Sequence, residues 1–226
     1  MIKYAIFGAN GGIGSACYQQ LQKHNIQVDQ FTRQDLNFED TEAVSSFDLS
    51  SYSHIINATG TSIGTYQGFL RNDFKNIVTQ ITVNFTSNLL LLKNFINTNT
   101  NGHYIWIGSN TTNKPRPFHS VYGSTKLASS FATNLIAQEA ENYNITEVRL
   151  GLVATNFRYT NYNGAKTRSE VADEYEKCNA MDPKYIAEKI IIGIQNKQQL
   201  IPLQDLRFSQ MSERHRALRD HSSVEM

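Results

Sequence analysis

The sequence of 226 residues has little of what defines several classes of protein. Its two cysteines, Cys17 and Cys178, are too few and too far apart for a disulfide framework or a metal knuckle. With 21 Lys and Arg against 20 Asp and Glu, no charge excess points to nucleic acid or an anionic membrane. Polar residues interrupt even the most apolar stretch, residues 77–96, so no membrane span is expected. We expect a cytoplasmic location, because a strand begins at Ile2 without a preceding leader.

Apolar segments of strand length alternate with helical segments along the chain. This alternation predicts an α/β fold, a doubly wound, mostly parallel sheet with helices on both faces in three layers. The predicted strands are residues 2–7, 26–31, 54–58, 103–107, 145–150 and 200–203. The predicted helices are residues 13–24, 71–96 with a break near Asn76, 120–142 and 183–195.

Two regions fit this alternation less well. Residues 33–54 are too few and too polar for a complete strand, helix and strand. We expect a very short strand at 35–37 and a short helix at 41–47. Residues 156–180 have no clear period and are predicted to form a loop with one helix over a site.

A glycine-rich turn follows the first strand and opens the first helix. Gly8, Gly12 and Gly14 in GANGGIG allow a pyrophosphate to approach backbone N–H groups at a helix N-terminus. The spacing is G-x-x-x-G-x-G, with Cys17 where a third glycine of the commoner motif stands. The turn therefore predicts a dinucleotide site, and the alternative is a tight turn without a ligand.

The residues after the second strand bear on which dinucleotide binds. Thr32 and Arg33 stand where an NAD site usually has Asp or Glu. This favours NADP(H) over NAD(H), with Asn10 and Arg33 near the 2'-phosphate. Two alternatives stay open: Arg33 as an ordinary surface charge, and Asp29 as the missing carboxylate.

A phenol and an ammonium group are predicted on one face of the long helix. Tyr122 and Lys126 are four residues apart, and a positive charge nearby would lower the pKa of the Tyr122 hydroxyl. Ser109 ends the preceding strand, and Asn57-Ala58-x-Gly60 ends the strand before it. Carboxyl ends of parallel strands beside a glycine-rich turn are where doubly wound sheets bind ligands.

In this order the motifs resemble those of the short-chain dehydrogenase/reductase family, NAD(P)(H)-dependent oxidoreductases with a Rossmann fold, over about residues 1–203. The resemblance implies that Ser109, Tyr122 and Lys126 are the catalytic Ser, Tyr and Lys, and that Asn84 holds a water of the proton relay. Leu150 replaces the proline of the family's Pro-Gly pair, whereas Gly151 and Thr155, which would border the nicotinamide, are kept. Asp35 would bond the adenine.

The predicted cofactor site gathers these turns. It consists of Gly8, Asn10, Gly11, Gly12, Ile13, Gly14, Thr32, Arg33, Asp35, Leu36, Asn57, Ala58, Gly60, Tyr122, Lys126, Gly151, Val153 and Thr155. No metal site is predicted. One domain is expected over 1–226, with a cofactor half at 1–155, a substrate-covering loop at 156–182 and a polar tail at 205–226.

The resemblance implies an NADP(H)-dependent oxidoreductase acting on a small carbonyl or alcohol. Alternatives are a sugar-nucleotide ketoreductase or epimerase, and a non-catalytic NADP-sensing protein. The family also implies a homodimer through the helices that contain residues 89–95 and 128–136, with small residues at Ala128, Ser129, Ser130 and Ala132. The polar tail does not match the segment that helps to build the family's tetramer.

Overall fold

The central strands of the sheet are buried on both faces. In the computed structural model, which describes residues 2–112, 116–161 and 166–203, the strand Gly102–Ser109 is buried from His103 to its end. Such continuous burial is typical of parallel strands covered on both sides by helices. The strands are β1 (Lys3–Phe7), β2 (Gln27–Phe31), β3 (His54–Asn57), β4 (Gly102–Ser109), β5 (Tyr143–Leu150) and β6 (Leu200–Leu203).

These strands form a six-stranded parallel sheet in the order β2-β1-β3-β4-β5-β6. The chain leaves β1 towards β2 and then returns to the other side of β1 to form β3. Between β1 and β3 the winding direction therefore reverses, which is where doubly wound sheets open a ligand crevice at their carboxyl edge. The predicted doubly wound Rossmann fold in three layers is confirmed.

Helices cover both faces of the sheet. They are α1 (Gly12–Lys23), α2 (Thr41–Ser46), α3 (Phe74–Ile81), α4 (Ser87–Thr98), α5 (Ser120–Glu139), α6 (Phe157–Asn161), α7 (Arg168–Lys177) and α8 (Pro183–Gln195). Helices α1 and α8 pack together over one hydrophobic core, and α2 and α4 pack over the other. Local signals fix several ends: Asp182 caps α8, with Pro183 in its first turn, and Thr167 and Glu170 form a capping box on α7.

Three details differ from the sequence prediction. Residues 35–37 form no strand, because the carboxylate of Asp35 closes a turn on Thr32, and β2 is left at the sheet edge. The break predicted near Asn76 lies instead at Thr82–Thr86, a π-helical turn that links α3 to α4. Residues 156–180 contain two helices, α6 and α7, rather than one. The predicted polar tail, 205–226, lies outside the described residues.

Candidate active site

The turn between β1 and α1 depends on glycine at its first position. Gly8 has φ +75°, and its N–H donates to the carbonyl of Phe31 at 2.9 Å. A side chain there would lie 2.9 Å from the backbone of Ala58. No side chain caps α1 after Gly11, and no acidic residue occupies its first turn. The first backbone N–H groups of α1 and its positive dipole end are thus available to an anion.

Two further glycines allow close packing around this turn. A Cβ on Gly12 would clash with the side chain of Thr155, and a Cβ on Gly14 would clash with the carbonyl of Gly8. Cys17, at the place of the third glycine of the commoner motif, is fully buried in the core. The unusual spacing is therefore compatible with the tight turn, and Cys17 contributes to core packing instead of to the turn.

A cavity of about 760 Å³ runs along the carboxyl ends of the strands, a volume typical of small-molecule sites. It brings together most of the predicted site residues. Those that line it are Gly8, Asn10, Gly11, Gly12, Ile13, Thr32, Arg33, Leu36, Ala58, Gly60, Ser109, Tyr122, Lys126, Gly151, Val153 and Thr155.

Four predicted site residues do not line the cavity. Gly14 is buried against Gly8, as described above. Asp35 accepts hydrogen bonds of 2.8 Å from the backbone and the hydroxyl of Thr32, whereas its neighbour Leu36 does line the cavity. The carboxylate of Asp35 thus shapes the turn that presents Thr32 and Arg33.

Asn57 and Asn84, the other two, hold backbone segments in place. The amide of Asn57 donates to Asn88 and Tyr104, each at 3.0 Å, beneath the turn that follows β3. Asn84 lies in the π-helical turn and is 2% exposed. Its side chain donates to the carbonyl of Thr61 at 2.7 Å and accepts from the N–H of Thr61 at 2.8 Å.

Ser109, Tyr122 and Lys126 meet at one end of the cavity. The hydroxyl groups of Ser109 and Tyr122 share a hydrogen bond. The ammonium group of Lys126 donates to the carbonyl of Ile107 at 2.8 Å. A Cβ on Gly60 would lie 3.5 Å from Nζ of Lys126, so the Asn-Ala-x-Gly turn passes directly over this lysine.

The protonation of this group differs from the sequence prediction. Burial raises the pKa of Tyr122 to about 12, although the hydrogen bond with Ser109 lowers it. The decrease expected from Lys126 is not found, because burial outweighs the other effects. Burial lowers the pKa of Lys126 to about 8, and the charge of Glu147 opposes that shift. At pH 7 Tyr122 is a neutral phenol and Lys126 is mostly charged.

At the other end of the cavity, Arg33 is paired with a carboxylate that the sequence prediction missed. Arg33 forms an ion pair with Glu39, which also accepts a hydrogen bond of 3.1 Å from Thr79. Both Arg33 and Glu39 line the cavity. Asp29 does not, since its carboxylate is bonded to Lys3 and to the hydroxyl of Tyr52, each at 2.7 Å.

Several lining residues around Tyr122 come from segments without sequence motifs. They are Tyr66, Arg116, His119, Phe157, Arg158 and Tyr175. The sequence predicted that residues 156–180, which include Phe157, Arg158 and Tyr175, lie over a site, but it identified none of these side chains. Among the described residues no group of three His, Cys, Asp or Glu side chains could hold a metal ion. Within the same residues, no helix is both long and apolar enough to cross a membrane.

Comparison with known proteins identifies the family. The family model of the short chain dehydrogenases matches residues 41–167, more than half of the chain. The chain therefore belongs to the short-chain dehydrogenase family. No curated protein matches it in sequence.

Solved structures share the fold. A small-chain dehydrogenase in complex with NADPH superposes with a TM-score of 0.76 at 18% identity, over 91% of this chain and 96% of that one. A short-chain dehydrogenase family protein from Francisella tularensis gives 0.73 at 22% identity, over 90% and 97%. A short-chain dehydrogenase from Sphingobium yanoikuyae in complex with NADPH gives 0.70 at 16% identity, over 100% and 97%.

Proposed function

We propose that the protein is an NADP(H)-dependent oxidoreductase that interconverts a small carbonyl compound and the corresponding alcohol. The observation that carries the proposal is the meeting of Ser109, Tyr122 and Lys126 at one end of a cavity that also contains the glycine-rich turn. A proton donor at that position faces the crevice in which doubly wound sheets bind dinucleotides.

The cavity fits a phosphate-bearing cofactor. Its described lining contains five cationic side chains, Arg33, Lys75, Arg116, Lys126 and Arg158, against one carboxylate, Glu39. The uncapped N-terminus of α1 supplies backbone N–H donors for a pyrophosphate. Asn10 and Arg33 would hold the 2'-phosphate, and Gly151 and Thr155 would border the nicotinamide. The NADPH in two structurally similar dehydrogenases supports this choice.

In the reducing direction Tyr122 donates the proton. NADPH, when bound, would supply the hydride for the carbonyl carbon. With a pKa near 12 the phenol of Tyr122 carries its proton at pH 7 and is ready to protonate the developing alkoxide. Ser109, bonded to Tyr122, orients the same oxygen, and the charge of Lys126 favours the phenolate that remains.

We assign Asn84 a supporting role in proton return. Its side chain holds Thr61, and its backbone carbonyl accepts a 2.9 Å hydrogen bond from Ser129, one turn of α5 beyond Thr125 and Lys126. The π-helical turn thus holds the floor of the site next to Lys126. A water between Lys126 and Asn84 would carry the proton to solvent.

The proposal is tested by Tyr122→Phe. NADPH binding, measured by fluorescence titration, should be unchanged, because the aromatic ring remains and only the hydroxyl is lost. Turnover of a compound found in a broad carbonyl panel should fall by about 100- to 10,000-fold, the usual contribution of general acid catalysis. Full activity of the variant would refute the role of Tyr122. Binding of NADPH by wild-type protein without turnover of any panel compound would instead favour an NADP-sensing protein.

We also propose a homodimer, with a different surface from the one that the small residues suggested. Ser129 and Ser130 are buried and bond within the chain, to Asn84 and Glu147. Helices α3 and α5 contact each other. Their outward faces carry exposed apolar residues instead. They are Phe74, Val78, Ile81, Leu127, Phe131 and Leu135. An exposed apolar face of this kind is typical of a protein interface.

A further inference from the structure

The cavity wall next to Tyr122 is positively charged. Arg116 and His119 reach it from the segment before α5, and Arg158 reaches it from α6. Among the described lining residues of the whole cavity the one carboxylate is Glu39, which is paired with Arg33 at the far end. No described acidic side chain therefore faces the space in front of Tyr122.

The acidic residue behind this wall does not cancel its charge. Glu174 forms an ion pair with Arg158 at 3.3 Å and a second one with Lys166. Because two cations share this carboxylate, a positive excess remains before Arg116 is counted. His119 adds none at neutral pH, since burial, together with the charges of Arg116 and Arg158, lowers its pKa below the usual 6.5.

The turn that presents Arg116 and His119 is held in a costly conformation. Phe118 has φ +67°, a value that a bulky side chain rarely adopts. Its ring packs against Gly68, where a Cβ would lie 3.1 Å away, and the N–H of His119 donates to the carbonyl of Arg116 at 3.2 Å. Backbone strain of this kind concentrates at functional sites, where it fixes the direction of side chains.

Aromatic rings complete the walls. Tyr66 contacts Arg158 through its face, at 5.6 Å from the ring centroid, and His119 through an edge-to-face contact of 5.6 Å. Phe157 lies 5.9 Å from the ring of Tyr122. The space in front of Tyr122 thus combines flat apolar surfaces with guanidinium groups, which bind carboxylate and phosphate through paired hydrogen bonds.

We infer that the substrate is an anionic carbonyl compound, with a carboxylate or phosphate that Arg116 and Arg158 bind while the carbonyl group faces Tyr122. This inference rests on the proposed oxidoreductase function and names its substrate class. The guanidinium groups stay charged at all physiological pH values, so the preference for an anion would not depend on pH in that range.

The test measures binding to the full chain saturated with NADP⁺, so that the cofactor's own phosphate sites are filled. Calorimetry compares benzoate and phenyl phosphate with the neutral isostere benzamide. At least one anion should bind about tenfold more tightly than benzamide or better, as expected for a charge-assisted hydrogen bond. A stronger preference for benzoate identifies a carboxylate substrate, and one for phenyl phosphate identifies a phosphate ester.

Variants assign the preference to the two arginines. Arg116→Gln and Arg158→Gln should each reduce it several-fold, while Lys93→Gln, which removes the same charge from the exposed surface of α4, should leave it unchanged. Equal binding of all three probes, no binding of any, or a preference that survives both arginine variants would overturn the inference. If NADP⁺ itself does not bind, the proposed function fails, and the same titration without NADP⁺, compared between wild type and the two arginine variants, still decides the anion preference.

Discussion

The ammonium group of Lys126 donates a 2.8 Å hydrogen bond to the backbone carbonyl of Ile107, two residues before Ser109 at the end of β4. The lysine is 4% exposed, and its Nζ lies 5.6 Å from the ring centroid of Trp106. One strand therefore supplies Ser109 and also anchors the cation that accompanies Tyr122. The packing of α5 against β4 therefore determines the relative position of the three groups.

The burial of Lys126 predicts that stability increases at alkaline pH. The pKa of Lys126 is about 8 in the folded protein against 10.5 in the unfolded chain, so between these values unfolding takes up a proton. The free energy of unfolding should rise with pH in this window, by up to about 3 kcal/mol from this group.

Urea unfolding of wild type and Lys126→Met at several pH values isolates this contribution. The variant should gain stability relative to wild type below pH 8 and lose that advantage above it. The expected change in the difference between the two proteins is again up to about 3 kcal/mol. A difference that does not vary with pH would show that Lys126 titrates normally.

The sequence was sufficient for the parts of the fold and site that repeat a local pattern. Alternating apolar and helical segments predicted the sheet, and the bounds 183–195 and 200–203 match α8 and β6. Ser109, Tyr122 and Lys126 could be named because Ser109 ends a strand, Tyr122 and Lys126 are four residues apart on one helix, and their order resembles that of the short-chain dehydrogenase/reductase family.

What could not be predicted depends on tertiary packing. The π-helical turn that buries Asn84 has no composition signal of its own, since TVNFT is compatible with an ordinary helix. Glu39 reaches Arg33 because residues 35–37 turn back instead of forming a strand. The pKa of Tyr122 depends on burial, whereas helical spacing indicated only the proximity of Lys126.

The ion pair between Arg33 and Glu39 predicts opposite effects on cofactor choice. Arg33→Ala should weaken NADPH binding relative to NADH by about tenfold, because a charge-assisted contact with the 2'-phosphate is lost. Glu39→Gln should strengthen NADPH binding by up to about fivefold, because Glu39 competes with the 2'-phosphate for Arg33. An exposed ion pair of this kind contributes about 1 kcal/mol or less.

Fluorescence titration with both cofactors checks this pair of effects. Glu42→Gln on α2 is the matched control, because it removes the same charge from an exposed position that does not line the cavity. A change of the same sign in Arg33→Ala and Glu39→Gln would contradict the assignment of the 2'-phosphate site.

Glu147 has a buried carboxylate, and we expect its replacement to have a large effect on the stability of the fold. It is 3% exposed, bonds Arg149 at 2.8 Å and accepts a 2.7 Å hydrogen bond from Ser130. Glu147→Gln should lower the free energy of unfolding by about 3 kcal/mol, because Arg149 loses its ion pair with a buried carboxylate.

A double-mutant cycle separates the interaction energy of Glu147 with Arg149 from the cost of removing only one of the two side chains. Arg149→Met combined with Glu147→Gln should be much less destabilised than the sum of the single variants, since no unpaired charge then remains. The measurement is urea unfolding at one pH. Additive single effects would show that the two side chains act independently.

The exposed apolar face of α3 and α5 predicts how the chain associates. Phe74 and Phe131 are 89% and 67% exposed, an unusual position for large aromatic side chains. Phe131→Glu, which places a charge in the centre of this face, should convert a dimer into a monomer in light scattering and leave the fold intact by circular dichroism. Tyr185→Glu on the outer surface of α8 is the control, because it also adds a charge at an exposed aromatic residue and should leave the dimer unchanged. A wild-type monomer, or a dimer that persists in Phe131→Glu, would place the interface elsewhere or remove it.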